Sequence, residues 1–104
     1  EYLWYAAHSG DHEIYPDCRP EFIDKMAAVL EICDYHKIKF EAPFQNLSKN
    51  EIVATGLSMG LDYSKTWTCY EGKEKPCGKC SACLERALSF EANNTEDPLN
   101  VVSN

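Results

Sequence analysis

Positively charged residues are scarce in this sequence of 104 residues, which has 10 lysines and arginines against 17 aspartates and glutamates. The formal net charge is therefore −7, and the isoelectric point expected from the sequence is about 4.8. A negative chain is repelled by nucleic acid phosphates and by anionic membrane surfaces. We therefore expect a small-molecule or protein partner, with no direct binding to nucleic acid or to a membrane.

Long apolar runs are also absent. No stretch approaches the roughly 20 apolar residues that a membrane-spanning helix needs, and no charged-then-apolar leader stands at the start. Internal repeats and low-complexity tracts are missing too, while the 44% of hydrophobic residues allows a modest core. These features are typical of one globular domain, or a piece of one, in the cytoplasm, where cysteines stay reduced.

Cysteine occurs in an informative pattern. The run CYEGKEKPCGKCSAC places four of the six cysteines within fifteen residues, namely Cys69, Cys77, Cys80 and Cys83. This spacing is typical of a closed site in which four thiolates bind one zinc ion. Such binding supplies on the order of 10 kcal/mol or more of free energy that is also folding free energy. We therefore expect the metal to decide whether the C-terminal third of the chain folds.

The residues between the cysteines favour a zinc knuckle. Pro76 fixes the approach to Cys77, and Gly78 allows a tight turn whose amides can face sulfur. Nearby cations, which favour thiolate over thiol, are expected around the site from Lys73, Lys75, Lys79 and Arg86. Disulfides and an iron–sulfur cluster stay open as alternatives. Zinc is preferred because the chain is not cysteine-rich throughout, and because the cluster signature places its remaining ligand differently.

Hydrophobic periodicity predicts a strand, a helix and a second strand in the first half of the chain. The apolar run at 2–7 is typical of a strand covered on both faces. Pro20 suits the first turn of a helix at about 20–36, whose apolar face includes Cys33 as a core residue. Alternating residues predict the second strand at 38–42.

Two more helices are predicted in the second half. Ser48 and Glu51 form a capping-box pattern, and Gly60 is placed to end the helix that follows. The last helix is predicted at about 81–91. Its inward-facing residues are expected to be Cys83, Leu84, Ala87 and Leu88.

These elements predict an α/β fold in three segments. Residues 1–66 would be part of an α/β nucleotide-binding-type domain, and 67–91 the four-cysteine segment with its helix. Residues 92–104, which lack a periodic apolar face, are expected to form a mobile tail in which Glu96 and Asp97 serve solubility. Because two parallel strands alone leave both sheet edges unpaired, we expect an incomplete fold or a homodimer.

Several stretches together resemble one family, the 7-cyano-7-deazaguanine synthases. They are YPDCRPEF at 15–22, EAP at 41–43, SKNEI at 48–52, TWTCYEG at 66–72 and PCGKCSAC at 76–83. The resemblance covers about residues 2–90, and the combination is far more specific than a generic zinc knuckle. It implies the parallel-sheet fold of PP-loop (adenine nucleotide α-hydrolase-like) ATPases, with a C-terminal zinc knuckle and helix. It also implies a structural zinc held by the four clustered cysteines.

The activity that the resemblance implies is that of an ATP-dependent ligase. Such enzymes convert 7-carboxy-7-deazaguanine, ammonia and ATP into 7-cyano-7-deazaguanine, a precursor of queuosine in tRNA. They activate the carboxylate with ATP, form the amide and dehydrate it to the nitrile. No residue of this chain is assigned to catalysis.

The family's phosphate-binding loop, Ser-Gly-Gly-x-Asp-Ser, is absent from this sequence. Residues 9–11 (Ser-Gly-Asp) do not replace it, because a phosphate loop points several backbone amides at the oxygens. The chain therefore looks like the C-terminal half of the enzyme, and we expect it to be inactive alone. The alternative is a stand-alone zinc-binding module that binds a protein partner.

Three residues are candidates for substrate contacts. Asp17 and Arg19 lie between two prolines, where a rigid loop could present them to the substrate carboxylate or guanine edge. The alternative for this pair is a loop salt bridge. Lys49 stands near a helix N-terminus, where a cation is disfavoured unless it has a partner such as a nucleotide phosphate; a solvated lysine is the alternative. Trp67 is expected to pack at the knuckle, and Cys18 to be a packed, non-catalytic thiol.

Overall fold

A computed structural model of the chain describes residues 1–101, which fall into two compact units. The first unit is Glu1–Ser48, and the second begins at Lys49. The three functional segments expected from the sequence, with boundaries at 66 and 91, stay a prediction. No helix within 1–101 combines the length and the apolar content needed to cross a bilayer.

The first unit is a strand, helix, strand arrangement, as predicted. Its elements are β1 (Tyr2–Trp4), α1 (Pro20–Ile32) and β2 (Lys39–Glu41), with short 3-10 turns at Ser9–Asp11 and Pro16–Cys18. The two strands pair in parallel, and Leu3 lies opposite Phe40. Both strands and the helix are shorter than predicted. The prediction of a parallel α/β unit is confirmed.

The core of the first unit covers only the beginning of α1. Ala7, Ile23 and Ala42 are its buried residues. Pro20 stands in the first turn of the helix, as predicted. Cys33 is exposed beyond the helix end, so the prediction that it belongs to the core is wrong. The reason is length, because strands of three residues cannot cover a helix of thirteen.

The sheet of the first unit is open rather than covered. Tyr2 and Trp4 are 64% and 70% exposed, so the expectation of a strand buried on both faces is wrong for this chain. Within residues 1–101, β1 pairs with β2 and with no third strand. Both edges of the pair are therefore available for further strands.

The second unit contains α2 (Lys49–Ser58), a 3-10 turn (Tyr63–Lys65) and α3 (Ser81–Ala92). α2 begins directly after Ser48, where the capping pattern was predicted. It ends at Ser58, two residues before Gly60, which closes it as predicted and whose φ of +73° suits glycine. The amide of Gly60 donates to the Leu57 carbonyl (3.1 Å), and that of Leu61 to the Gly56 carbonyl (2.9 Å). These two bonds are the Schellman pattern.

The buried face of α3 differs from the prediction. Leu84 and Leu88 are 38% and 55% exposed, so their expected inward orientation is wrong. The buried residues are Cys83, Arg86, Ala87, Ser89 and Phe90. Most of this set recurs at the three- and four-residue spacing of one helical stripe. Leu84 and Leu88 each directly follow a buried residue of that stripe, which rotates them about 100° from Cys83 and Ala87 respectively.

Gly56 is expected to be intolerant of alanine. A Cβ at this position would overlap with the Tyr63 hydroxyl, which donates to the Val53 carbonyl at 3.1 Å. Alanine gains about 1 kcal/mol of helix propensity over glycine, whereas overpacking costs about 1–3 kcal/mol. We expect the overlap to dominate, since Phe90 also holds the tyrosine ring edge-on at 5.1 Å. Urea unfolding of Gly56→Ala should therefore show a net loss of stability.

The matched control for this prediction is the same change in a Tyr63→Phe background. Removing the hydroxyl removes the nearest atom of the overlap, so Gly56→Ala should cost less there. Equal costs in the two backgrounds would contradict the proposed overlap.

Candidate metal centre

The four clustered cysteines come together in the second unit. Cys69, Cys77, Cys80 and Cys83 place their sulfurs within 4.8 Å of one another. A tetrahedral zinc ion with Zn–S bonds of about 2.3 Å requires sulfurs about 3.8 Å apart. The 4.0 Å between the sulfurs of Cys77 and Cys83 is close to that value. The donor set therefore fits one tetrahedral metal ion.

Neither alternative for the cysteines fits as well. All six are free thiols, whereas a disulfide holds its sulfurs about 2.05 Å apart. In a multi-iron cluster the four thiolates bind two or four different iron atoms, which spreads the four sulfurs farther apart than around one ion. The spacing favours a single ion.

Local structure explains how the sulfurs converge. Gly78 has a φ of +71°, which allows the tight turn predicted between Cys77 and Cys80. Cys80 is the N-cap residue of α3, and Cys83 lies in the first turn of that helix, where it is fully buried. The chain thus presents two ligands from the turn and one from the helix start. Cys69 completes the set from the preceding segment.

Backbone amides face the sulfurs, as the knuckle prediction requires. The amides of Lys79 and Cys80 donate to the Cys77 sulfur at 3.3 and 3.2 Å. Those of Glu71 and Cys77 donate to the Cys69 sulfur at 3.4 and 3.3 Å. Because such bonds stabilise the charged form of a thiol, the loop is arranged to hold thiolates.

The cysteines differ in how easily they ionise. The backbone amide of Tyr70, followed by that of Cys83, lowers the pKa of Cys80 to about 6. The Cys77 amide, followed by that of Glu71, also lowers the pKa of Cys69. Burial raises the pKa of Cys83 to about 12. A bound cation would supply the positive charge that this buried thiol needs to ionise.

Only some of the cations predicted around the cysteines lie beside them. Lys73 and Lys79 line an open depression beside Cys77 and Cys80, as expected. Arg86 does not face the sulfurs, so its predicted role in balancing their charge is wrong. It is buried and instead forms an ion pair with Asp97, whose carboxylate lies 2.6 Å from the Arg86 Nε.

The segment after α3 packs over the cysteines. Val101 is buried with Cys69, Cys83 and Ala87, and Leu99 packs against this cluster. Asp97 is buried too, so the solubilising role expected for it is wrong. As far as Val101 the predicted tail is thus part of the unit, and its residues 102–104 lie outside the described part of the chain. In the sequence, only the apolar residues at 99 and 101 indicated that this segment packs against the rest of the unit.

Trp67 forms a hydrogen bond beside the first cysteine, whereas its predicted packing over the knuckle stays a prediction. Its indole nitrogen donates to the Cys69 carbonyl at 2.9 Å, while its ring stays partly exposed. The bond fixes the backbone at the point where the cysteine run begins.

Asp17 and Arg19 lie in the first unit, in the loop before α1. The Arg19 Nε donates to the His12 carbonyl at 2.6 Å and its Nη2 to the Glu13 carbonyl at 3.4 Å. The Asp17 carbonyl accepts a bond from the Tyr5 hydroxyl at 3.1 Å. These bonds tie the loop to Tyr5 and to residues 12–13. The substrate-binding roles of both residues stay predictions.

Lys49 lies in the second unit at the start of α2. Its ammonium is 3.4 Å from the Glu85 carboxylate and is half-buried. It lines a cavity of about 150 Å³ with Ile52, Val53, Phe90 and other residues. Lys49 is therefore not a purely solvated lysine, and its contact with a nucleotide phosphate stays a prediction.

Cys18 packs against the core of the first unit, as predicted. Burial raises the pKa of its thiol, and Tyr5 lies 3.9 Å from its sulfur. A thiol kept protonated is a poor nucleophile.

Comparison with known proteins identifies the family. The family model described as "Queuosine biosynthesis protein QueC" matches residues 1–94. The chain belongs to this QueC family. The resemblance read from the sequence is thereby confirmed.

Relatives of this QueC chain are named 7-cyano-7-deazaguanine synthases. Those of Marinobacter nauticus and Pseudoalteromonas atlantica are 56% and 57% identical over 97 residues, which is 93% of this chain and 44% of each relative. One from Colwellia psychrerythraea, 7-cyano-7-deazaguanine synthase 1, is 54% identical over 99 residues, or 95% of this chain and 45% of the relative. The chain therefore spans less than half the length of these relatives.

Proposed function

We propose that this chain is the C-terminal portion of a 7-cyano-7-deazaguanine synthase. The complete enzyme joins 7-carboxy-7-deazaguanine and ammonia at the expense of ATP, giving the nitrile precursor of queuosine. The observation that carries the proposal is the identity of 56% to a relative of that name across 93% of the chain. The sulfur centre built from the PCGKCSAC run supports it.

The proposed fold of the complete enzyme is that of PP-loop ATPases. In this arrangement β1 and β2 would be neighbouring strands of a larger parallel sheet. The exposed side chains of Tyr2 and Trp4 support this, because parallel sheets in α/β proteins are covered on both faces. A homodimer in the cytoplasm completes the proposal.

The metal of the proposed enzyme is zinc in a structural role. Cys69, Cys77, Cys80 and Cys83 would hold it, and four protein ligands leave no open position for water or substrate. Zinc bound there supplies folding free energy rather than chemistry on the substrate.

Asp17, Arg19 and Lys49 are proposed to contact substrates. The Arg19 bonds to His12 and Glu13 use Nε and Nη2, so a carboxylate would approach from the Nη1 side of the fork. Lys49 would contact ATP phosphate in place of its present ion pair with Glu85. ATP itself requires the Ser-Gly-Gly-x-Asp-Ser loop, which this sequence lacks.

Complementation tests the proposed function. We expect the chain alone to produce no 7-cyano-7-deazaguanine. Mixed with the remaining N-terminal portion of the Marinobacter nauticus relative, it should produce the nitrile in an ATP-dependent manner, measured by liquid chromatography and mass spectrometry. The mixture without ATP is the control. A folded, zinc-loaded chain that yields no product with that portion would favour the stand-alone zinc-binding module instead.

A further inference from the structure

A buried ion pair joins α3 to the segment that covers the cysteines. The Arg86 Nε lies 2.6 Å from Oδ2 of Asp97, and Nη2 lies 2.9 Å from Oδ1. The two side chains are 5% and 1% exposed. This is the paired geometry in which a guanidinium and a carboxylate bind most specifically.

The same guanidinium also binds the segment before the first cysteine. The Arg86 Nη1 donates to the Thr66 hydroxyl at 2.8 Å, and Nη2 donates to the Tyr63 carbonyl at 3.1 Å. Thr66 stands three residues before Cys69, and Arg86 three residues after Cys83. One side chain therefore ties together the two ends of the cysteine run.

Asp97 extends this connection to the cover of the centre, which is the segment 97–101 that packs over the cysteines. Its Oδ1 accepts the amide of Leu99 at 2.9 Å. Val101 is buried in one cluster with Cys69 and Cys83, and Leu99 packs against that cluster. Loss of the carboxylate would release the cover and leave the guanidinium that joins the two ends of the cysteine run without its counter-charge.

We propose that Arg86 and Asp97 form a clasp that controls how long the metal stays bound, acting as positioning residues that do not touch the ion. The inference rests on the metal centre of the proposed function. A metal ion leaves when solvent or a chelator replaces its ligands one after another. Cys83 is inaccessible while the clasp is closed, so release from that side requires the clasp to open first.

The test is the rate of zinc release from the zinc-loaded 104-residue chain into excess 4-(2-pyridylazo)resorcinol, followed by absorbance. Asp97→Asn keeps the size of the side chain and removes its charge. We expect roughly 10- to 100-fold faster release, because loss of a residue that orients metal ligands lowers metal affinity by about that factor and a weaker complex dissociates faster. Thr66→Val should also speed zinc release, but less than Asp97→Asn does. Asp97→Glu keeps the negative charge and should release zinc more slowly than Asp97→Asn.

A matched control uses an ion pair remote from the centre in sequence. Glu21→Gln removes the carboxylate that lies 2.9 Å from the Lys25 ammonium in an exposed pair of α1, and it should leave the release rate unchanged. Far-UV circular dichroism at the same temperature confirms that each variant is folded. The thiolate charge-transfer band of the cobalt-loaded variants should stay unchanged, because the ligand set is intact.

The outcomes separate the clasp from the metal centre. If folded Asp97→Asn releases zinc at the wild-type rate, the clasp is overturned and the centre stands. If the wild-type chain binds no zinc, both are overturned. Should Asp97→Asn fail to fold, Thr66→Val decides, since an unchanged rate overturns the clasp and a faster rate supports it.

Discussion

Replacing Cys80 with alanine is expected to abolish metal binding and to unfold the region from about residue 70 to 88. A four-thiolate site contributes on the order of 10 kcal/mol or more, as much as the whole net stability of a small domain. An average substitution costs only about 1 kcal/mol. Elemental analysis would measure the zinc content, and thermal unfolding followed by circular dichroism would measure the stability.

Cys33→Ala is the matched control, because Cys33 is exposed and lies outside the cluster. It should keep stoichiometric zinc and an unchanged melting temperature. Prolonged treatment of the wild-type chain with EDTA should reproduce the effect of Cys80→Ala. A Cys80→Ala variant with the wild-type melting temperature would show that the centre is not structural.

Arg86→Met is expected to lower the free energy of unfolding by about 3–5 kcal/mol, the range for removing one partner of a buried ion pair. The large cost arises because Asp97 would remain charged with almost no access to water. The change also removes the donor to the Thr66 hydroxyl and one of the donors to the Tyr63 carbonyl, which keeps its bonds from the amide and hydroxyl of Thr66. Urea unfolding of the zinc-loaded chain would measure the loss.

Two further variants show whether the cost comes from the uncompensated charge. Lys25→Met breaks the exposed pair with Glu21 and should cost about 0–1 kcal/mol. The double variant Arg86→Met with Asp97→Leu should recover much of the lost stability, because replacing both partners by apolar residues is often neutral. An Arg86→Met cost no larger than that of Lys25→Met would contradict the expected role of the pair.

Local signals in the sequence predicted the elements well. Pro20 sets the start of α1 because its ring restricts the backbone to a helical φ. Gly60 closes α2 because it adopts a positive φ at little cost. The spacing of the four cysteines and the turn at Gly78 also predicted the arrangement of sulfurs and amides. Such features depend on a few neighbouring residues, which is why sequence reasoning finds them.

Burial was harder to predict because it depends on what covers each face. Cys33 continues the periodic stripe of α1, yet the short strands do not reach it. Leu84 and Leu88 are apolar but lie off the buried stripe of α3. Hydrophobicity alone thus misplaced them.

The Arg86–Asp97 pair was missed for a related reason. Both residues are of types usually found at the surface. They are eleven positions apart, and α3, which contains Arg86, ends at Ala92, so the helical periodicity does not extend to Asp97. The pair forms because the chain turns back after α3. Sequence reasoning cannot place this return without the three-dimensional structure.

The short parallel strands have a practical consequence for work with the isolated chain. A bare strand edge flanked by exposed aromatic rings can recruit an identical edge from another molecule. The net charge of −7 opposes this association, but salt weakens that repulsion. Concentrated samples of the chain should therefore be most prone to precipitate at high ionic strength.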